Sequence, residues 1–452
     1  MCMNTEAREH EERAALAASQ LRATRPAAGT VALRKRTSNL FRDRRSDGKR
    51  RLDLGSMHHV IAADARAGWV DVEGMATYEQ LVAWTLPRGF IPAVVPQLKT
   101  ITVGGAAAGV GIEATSFRHG LVHDTLQEIE VLLPGGDMVV CSPANAHRDL
   151  FFGFPNSYGT LGYALRLRVG MLATQPMVHV EHRVCRDGAA FFDGLAAQCR
   201  GDADFIDGVV FGACECVMSC GRFTQAAPWR SDYTFEKIYY QSLRSRSEDY
   251  LSTQDYLWRW DTDWFWCSKN FGAQHPLVRR LLGRARLNSR TYTRWMRLNA
   301  RWQLTQRVAR WRGRYRESVI QDVDIPLPRA AEFLAFLQRE IGILPIWVCP
   351  LRGEQPGRHF SLYPLGAAAL YVNFGFWDVI ESERAFEPGH FNRLIEREVT
   401  RLDGIKSLYS ESFFTPEQFA LAYGQPEYQR LKARYDPHGL APDLYDKCVR
   451  RA

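Results

Sequence analysis

Between Val95 and Gly120 the chain reads VPQLKTITVGGAAAGVGIEATSFRHG, with Gly104, Gly105, Gly109, Gly111 and three alanines inside eight positions. Backbone this bare can approach a large flat or anionic ligand, its N–H groups turned toward a phosphate or a ring edge. The spacing is not G-x-G-x-x-G, so the usual dinucleotide fingerprint is absent. A tight turn packed between core strands accounts for the composition equally well. Glu113 and His119 follow directly, and each can hold or release a proton near neutral pH once burial tunes it. Both also serve as ordinary structural hydrogen-bond partners. Lys99 suits a phosphate or plain solvent, and the lone Cys349 in WVCP suits a pocket wall or packing.

No Ser-His-Asp or paired-carboxylate spacing competes with that segment. The ten cysteines are scattered, and Cys214, Cys216 and Cys220 form no C-x-x-C pair. Reduced thiols in the cytoplasm are expected, and no structural zinc or other metal. No apolar run is long enough to cross a bilayer, and residues 1–25 are charged and helix-prone, unlike a signal peptide.

The net charge of +8 is uneven. Arg34–Arg51 holds nine basic residues against two aspartates, and after Asp263 the next acidic residue is Glu317. Thirteen arginines between Arg279 and Arg316 interleave there with Trp295, Trp302 and Trp311. On a helix this alternation suits the interface of an anionic membrane. Nucleic-acid phosphates would also attract it, but no zinc-finger or RNP-type motif supports them and no nucleic-acid partner is expected. A solvated helical face with its tryptophans in the core is the third reading.

A chain of 452 residues exceeds the size at which one core keeps growing, so two domains are expected. Residues 6–22 read as a surface helix, Val31–Leu33 as a strand, and His59–Ala63 with Trp69–Val72 as a hairpin. A helix near Tyr78–Thr85 and extended chain at Pro92–Pro96 deliver the glycine-rich loop. Leu126–Leu133 and Met138–Cys141 pair across Pro134–Asp137, and a short helix at Asp149–Phe151 precedes the strand Tyr163–Val169. Beyond Pro176, strands at Val178–Val184, Gly208–Val217, Ser318–Ile325, Leu344–Pro350 and Leu370–Phe376 mix with helices near Ala189–Gln198, Ala330–Glu340 and His390–Leu402. Such mixing predicts an α+β fold rather than a doubly wound parallel sheet. WRWDTDWFW at 258–266 suits a greasy substrate channel or a plain core.

The segments LPRGFIPAVVPQLKTITVGGAAAGVGIEATSFRHG, DLFFGFPNSYGTLGYALRLRV, VIQDVDIPLP, LPIWVCPLR, LYVNFGFW and LYSESFF carry a resemblance over residues 30 to 450. The chain resembles flavoproteins with the FAD-binding domain of the p-cresol methylhydroxylase (PCMH) and vanillyl-alcohol oxidase type, in the branch of the Δ24-sterol reductases. The resemblance implies a two-domain fold: a PCMH-type FAD domain at 1–175, an α+β cap at 176–420, and a segment at 421–452 returning to the FAD side. It places FAD against Thr37, Ser38 and Asn39, against Thr102, Val103, Gly104, Gly105, Gly109, Gly111, Ile112, Glu113 and Ala114, and against Gly159, Thr160, Gly162, Tyr163 and Tyr409. The Thr37–Asn39 turn has neither histidine nor cysteine, so the flavin is expected to be noncovalent. Ser412 stands where sugar-oxidising relatives carry a lysine, and their chemistry is not carried over.

The implied reaction is reduction of an isolated carbon–carbon double bond in a sterol side chain or a methylene-branched acyl chain, with NADPH as electron donor or a redox partner protein in its place. Running the other way, an alcohol or sugar oxidase is the alternative. A membrane-associated binding protein that kept the fold is another. Alkene reduction needs a proton donor beside the flavin. Glu113, His119, Tyr371, Asn373 and Tyr409 are the candidates. The lipid and the Arg/Trp stretch imply a cytoplasmic protein with peripheral membrane contact at 279–316.

Overall fold

The structure is a computed structural model that describes residues 5–23, 29–35, 41, 49–302, 313–366 and 368–450, with main chain alone at 299–302. The Thr37–Asn39 turn, Trp311 and the arginines at 307, 310 and 312 lie outside the described residues. The helix Thr5–Ala23 leads to β1 (Val31–Leu33), which pairs in parallel with β2 (Arg50–Leu52). Next come β3 (Val60–Asp64), β4 (Trp69–Glu73), β5 (Phe90–Pro92), β6 (Leu126–Leu132), β7 (Met138–Cys141) and β8 (Tyr163–Ala173). They build one antiparallel sheet in the order β3-β4-β8-β6-β7, with β5 on the far end of β8.

A second antiparallel sheet has eight strands: β9 (Met177–Cys185), β10 (Phe205–Gly212), β11 (Glu215–Thr224), β12 (Glu248–Ser252), β13 (Tyr315–Pro326), β14 (Ile346–Arg352), β15 (Leu370–Ser382) and β16 (Ile405–Lys406). Their order is β12-β9-β11-β10-β14-β15-β13-β16. Side chains alternate across a strand, and here the two faces have different partners. Ile206, Met218, Val323, Ile346, Val348, Val372 and Phe374 point to one face, where helices Gly188–Cys199, Ala330–Phe336 and His390–Arg401 cover them. The opposite face turns toward the first sheet and the aromatic segment. The predicted α+β architecture stands. The single strand expected at Gly208–Val217 is instead the hairpin β10–β11, which reverses at Ala213-Cys214.

A helix replaces most of the expected glycine-rich loop. Val103–Ala108 forms it, and Thr102 caps it by accepting Gly105 N–H at 3.1 Å. Three consecutive alanines, the best helix formers, together with a threonine cap outweigh two glycines.

The 258–266 segment is core: Trp258, Trp260, Trp264, Phe265 and Trp266 are all buried. Trp264, Phe265 and Trp266 have positive φ (48°, 48° and 57°), a costly conformation for bulky side chains that surrounding packing must hold. The arginine stretch is less free than its sequence implies. Arg279 is buried against the Phe235 and Ala273 carbonyls, and Arg280, Arg284 and Arg290 pair with Glu236, Asp232 and Glu79. No helix among the described residues is long and apolar enough to cross a membrane.

Candidate active site

The face of the eight-stranded sheet turned inward carries a polar row. Antiparallel register puts His182 opposite Ser219, Ser219 opposite Asp207, Cys349 opposite Asn373, and Asn373 opposite Asp324. Gly208 pairs with Val348, so Asp207 and Cys349 occupy the next rung. The row therefore crosses β9, β11, β10, β14, β15 and β13, and Asp322 and Tyr371 lie two rungs to either side on the same face. Residues of a buried face must find partners, and most do. His182 Nδ1 meets Ser219 Oγ at 2.9 Å, Asn373 Nδ2 donates to Asp324 Oδ1 at 2.7 Å, and Tyr363 donates to Asp324 Oδ2 at 2.8 Å. Burial lifts Asp324 to about 6.

Glu113 and Ala114 lie across this row. Ile206 N–H donates to the Ala114 carbonyl at 2.8 Å. Arg259, just past the short helix Thr253–Leu257, donates to Glu113 Oε1 at 3.0 Å and to Asp207 Oδ2 at 2.8 Å. Glu113 Oε2 is buried with no hydrogen-bond partner. Burial, with the Asp207 charge added, raises the Glu113 carboxyl to about 7 in spite of the Arg259 cation. Such a group exists as acid and as anion near neutral pH, as proton transfer requires. Asp207 and Arg259 had no motif to announce them. They sit 94 and 146 residues from Glu113 in the sequence; sheet register places Asp207, and the turn after the helix Thr253–Leu257 brings in Arg259.

Tyr409 bridges two side chains at the other end of the row. It donates to Asp322 Oδ2 at 2.7 Å and accepts from Trp377 Nε1 at 2.8 Å. Burial holds the Asp322 carboxyl well above its ordinary value, with Asp324 adding to the effect. Phe41 packs edge-on against Tyr409 at 5.7 Å and lies 5.8 Å from Trp264, so three aromatic rings adjoin the polar row. Tyr371 does a different job: its hydroxyl accepts Gly366 N–H at 2.5 Å and ties a loop to β15. His119 ends a short helix beside Arg118 and Arg352; burial and those cations press its imidazole down to about 4. Among the described residues His119 shares no hydrogen bond with the row. Ser412 receives Lys406 Nζ at 3.0 Å, a buried lysine that Glu396 neutralises at 2.8 Å.

The helix Val103–Ala108 offers fewer phosphate donors than its sequence implies. Val103 and Gly104 N–H bond to the Ala76 and Gly74 carbonyls, and Gly105 N–H bonds to Thr102 Oγ1. Lys35 Nζ lies 2.8 Å from the same oxygen, so Lys35 and the remaining Thr102 hydroxyl proton supply the positive end. A Cβ on Gly105 would stand 2.7 Å from both Lys35 Nζ and Thr102 Oγ1. Downstream, the N–H groups of Val110, Gly111 and Ile112 make no hydrogen bond among the described residues. Facing them, Asn156, Tyr158 and Gly159 adopt positive φ of 61°, 49° and 78°, and Tyr158 N–H and Asn156 N–H reach the Ala108 and Gly109 carbonyls.

The other predicted cofactor positions have packing duties. A Cβ on Gly111 would meet Val122 at 2.7 Å, one on Gly104 the Gly74 carbonyl at 2.7 Å, and one on Gly162 the Leu132 carbonyl at 2.6 Å. A Cβ on Gly109 would meet the Tyr158 ring at 3.4 Å. Thr160 donates to the Ser157 carbonyl, and Tyr163 donates to the Val31 carbonyl at 3.3 Å, anchoring β1.

Buried polar atoms left without partners are the best measure of whether a flavin fits. Both ends of the Gln97 amide, Ser157 Oγ, Asn156 Oδ1, Glu113 Oε2, Asn373 Oδ1 and Asp322 Oδ1 are such atoms. They gather on the segments around the glycine helix and on the polar row, with donors and acceptors both present. An FAD, whose ring edge and phosphates need both, fits that set.

Residues 17–142 match the family of the FAD binding domain. That domain, joined to an antiparallel cap that turns a polar and aromatic face toward it, marks an FAD-linked oxidoreductase. The chain is 26% identical to the Delta(24)-sterol reductase of Homo sapiens, over 87% of its own length and 76% of that protein. It is 23% identical to the Delta(24)-sterol reductase of Arabidopsis thaliana, over 88% of its length and 76% of that protein. Cytokinin dehydrogenase 7 of Oryza sativa subsp. japonica is 32% identical over 29% of the chain and 25% of its own length. The chain thus carries an FAD binding domain over residues 17–142 and is similar over most of its length to the Delta(24)-sterol reductases.

Proposed function

We propose that this enzyme reduces a carbon–carbon double bond in a lipid, either a Δ24-sterol side chain or a methylene-branched fatty acyl chain. The buried Glu113 carboxyl, poised near neutrality with Oε2 unpartnered beside the FAD-binding segments, carries the reading. When bound and reduced, FAD would supply a hydride equivalent to one alkene carbon. Glu113 Oε2 gives the proton to the other carbon, and the resulting carboxylate is met by Arg259 at 3.0 Å. Phe41, Trp264 and Tyr409 keep water out and present ring faces that tolerate cationic character at the more substituted carbon. Thr102, Lys35 and the Val110–Ile112 amides would hold the cofactor noncovalently. NADPH is the proposed electron source.

A cytoplasmic protein resting on an anionic membrane completes the reading. Leu277 and Leu281 stand one turn apart at 63% and 82% exposure, and Leu298 (56%) shares a helix face with Arg294. Apolar side chains beside arginine suit the headgroup boundary of a lipid substrate's own bilayer.

Anaerobic reduction of the yellow protein tests the reaction. NADPH, with dithionite as the control, is expected to bleach it. Desmosterol or a methylene-acyl phospholipid is then expected to restore the colour, with a product two mass units heavier. Rapid recolouring by air alone, with no effect of either alkene, would overturn the reading in favour of an alcohol or sugar oxidase. Absence of flavin would leave a binding protein.

A further inference from the structure

Glu113, Asp207 and Arg259 set two buried carboxyls against one buried cation. Arg259 is fully buried: one terminal nitrogen bridges Glu113 Oε1 and Asp207 Oδ2, the other donates to the Tyr256 carbonyl at 2.9 Å, and the Tyr256 ring lies 3.9 Å from its carbon. Among the described residues no second cation bonds to either carboxyl. Burial keeps Tyr239, Tyr256 and Cys349 protonated and neutral, and it presses His182 down to about 4. Arg246 pairs with Asp249, and Asp324 is engaged by Asn373 and Tyr363. With both carboxyls ionised the cluster would carry an uncompensated charge, which is expensive in a buried site. One proton makes it neutral.

Hydrogen bonding decides where that proton sits. Asp207 Oδ2 accepts from Arg259 and also from Trp347 Nε1 at 3.1 Å, so two donors converge on one oxygen. Glu113 receives one donor on Oε1 and none on Oε2.

We infer that Asp207 and Arg259 are a positioning pair that keeps the proton of the cluster on Glu113 Oε2 at neutral pH. Asp207 claims the cation, and Glu113 is left as the acid. This rests on the proposed reduction only for its purpose, since the protonation state exists with or without substrate. Once Glu113 has given up its proton, the excess charge on the cluster favours its return from solvent before the next turnover.

Infrared spectroscopy of the flavin-loaded protein tests this, with glutamate carboxyls isotopically labelled. A protonated-carboxyl C=O band is expected at pH 7 and should be absent from Glu113→Gln. Asp207→Asn leaves Glu113 as the sole counter-ion, so the band should vanish at pH 7 and reappear only in acid. In that variant alkene reduction at pH 7 should fall about 10-fold per unit of pKa lost and recover as the pH is lowered. Flavin content and melting temperature identify any variant that has misfolded; Asp207→Glu then replaces Asp207→Asn and is expected to retain the band. A band that survives in Glu113→Gln but disappears in Asp207→Asn would place the proton on Asp207 and overturn the inference, as would no band in the wild type. A band behaving as expected in a protein that no alkene reoxidises would instead remove the proposed reaction and leave the cluster as described.

Discussion

Cys349 donates its thiol hydrogen to the main-chain carbonyl of Glu113 at 3.2 Å, joining the centre of the cap sheet to the end of the glycine-rich segment. The contact fixes the backbone of Glu113 while its side chain is held separately by Arg259. Burial raises the Cys349 thiol well above its ordinary value, so it stays a hydrogen-bond donor and not a nucleophile. Rigid seating of this kind is needed where an acid must meet one carbon of a substrate.

Two glycines a few residues apart should fail differently. Gly105→Val puts a side chain between Lys35 and Thr102 on the exposed first turn of the helix Val103–Ala108, and it is expected to empty the protein of flavin at a smaller cost in melting temperature than Gly111→Val. Gly111→Val drives into Val122, Pro96 and Ala106 and is expected to cost the fold about 1–3 kcal/mol. Flavin-to-protein absorbance ratios and thermal melts on both variants distinguish the two roles. Equal flavin loss with equal destabilisation would count against a cofactor role for Gly105.

Replacing His119 tests the rejected proton donor. Its imidazole is held down near 4 and is already neutral at pH 7, so His119→Ala is expected to change alkene reduction less than about 3-fold, well below the effect of losing a general acid. A drop of two orders of magnitude with normal flavin content would reinstate His119.

Among the described residues Tyr409→Phe removes the one donor to the Asp322 carboxyl, and with it an acceptor for Trp377. Leaving a buried carboxyl unsatisfied costs about 1–3 kcal/mol. The expected result is a lower melting temperature and weaker substrate binding, with kcat reduced far less than in Glu113→Gln. A kcat loss matching Glu113→Gln would make Tyr409 the donor.

The N-terminal helix should release from the first sheet in a defined pH range. His10 donates to Glu73 Oε1 at 2.9 Å and Glu130 Oε2 at 3.0 Å, and Arg13 also reaches Glu73. Burial opposes the His10 charge, but the two carboxylates outweigh it and raise the imidazole to about 9; Glu73 is lowered to about 2. A raised histidine stabilises fully below its unfolded value of about 6.5, and that contribution is lost as pH rises through 9. The depressed Glu73 contributes above its unfolded value and is lost as pH falls toward 2. His10→Leu is therefore expected to cost on the order of 3 kcal/mol at pH 6 and much less at pH 10, read from melts at the two values.

Membrane contact has its own check. Leu277→Ser, Leu281→Ser and Leu298→Ser together should abolish co-sedimentation with phosphatidylglycerol vesicles and leave flavin content intact. Wild-type protein that ignores such vesicles at low salt would dispose of the membrane proposal.

Much of the fold was legible because its signals are local. Alternation in β13 and β15, the Pro134–Asp137 turn and the capped helix Tyr78–Thr85 each lie within a dozen residues. The glycine-rich segment was legible as a site but not as a helix, because glycine density masked the run Ala106–Ala108 behind its Thr102 cap. It was equally silent about its own amides, which Gly74 and Ala76 consume from the neighbouring strand. Glu113 could be picked out by adjacency, whereas Asp207 depends on strand register and Arg259 on how the turn after the helix Thr253–Leu257 packs against the sheet. The arginines after Asp263 were only partly legible for a related reason: Arg284, Arg280 and Arg290 find their counter-ions Asp232, Glu236 and Glu79 well upstream.

Lys432 donates to the Thr160 carbonyl and Lys447 to the Tyr158 carbonyl, across 272 and 289 residues of chain. The strained turn at 156–160 thus takes its bracing from residues synthesised only after the whole cap. On the ribosome the first sheet can assemble early, yet its ligand-facing turn must wait for material translated long afterwards. Loading of the cofactor is thereby scheduled as a late event in biogenesis, and quality control that senses an empty site would be inspecting the finished polypeptide.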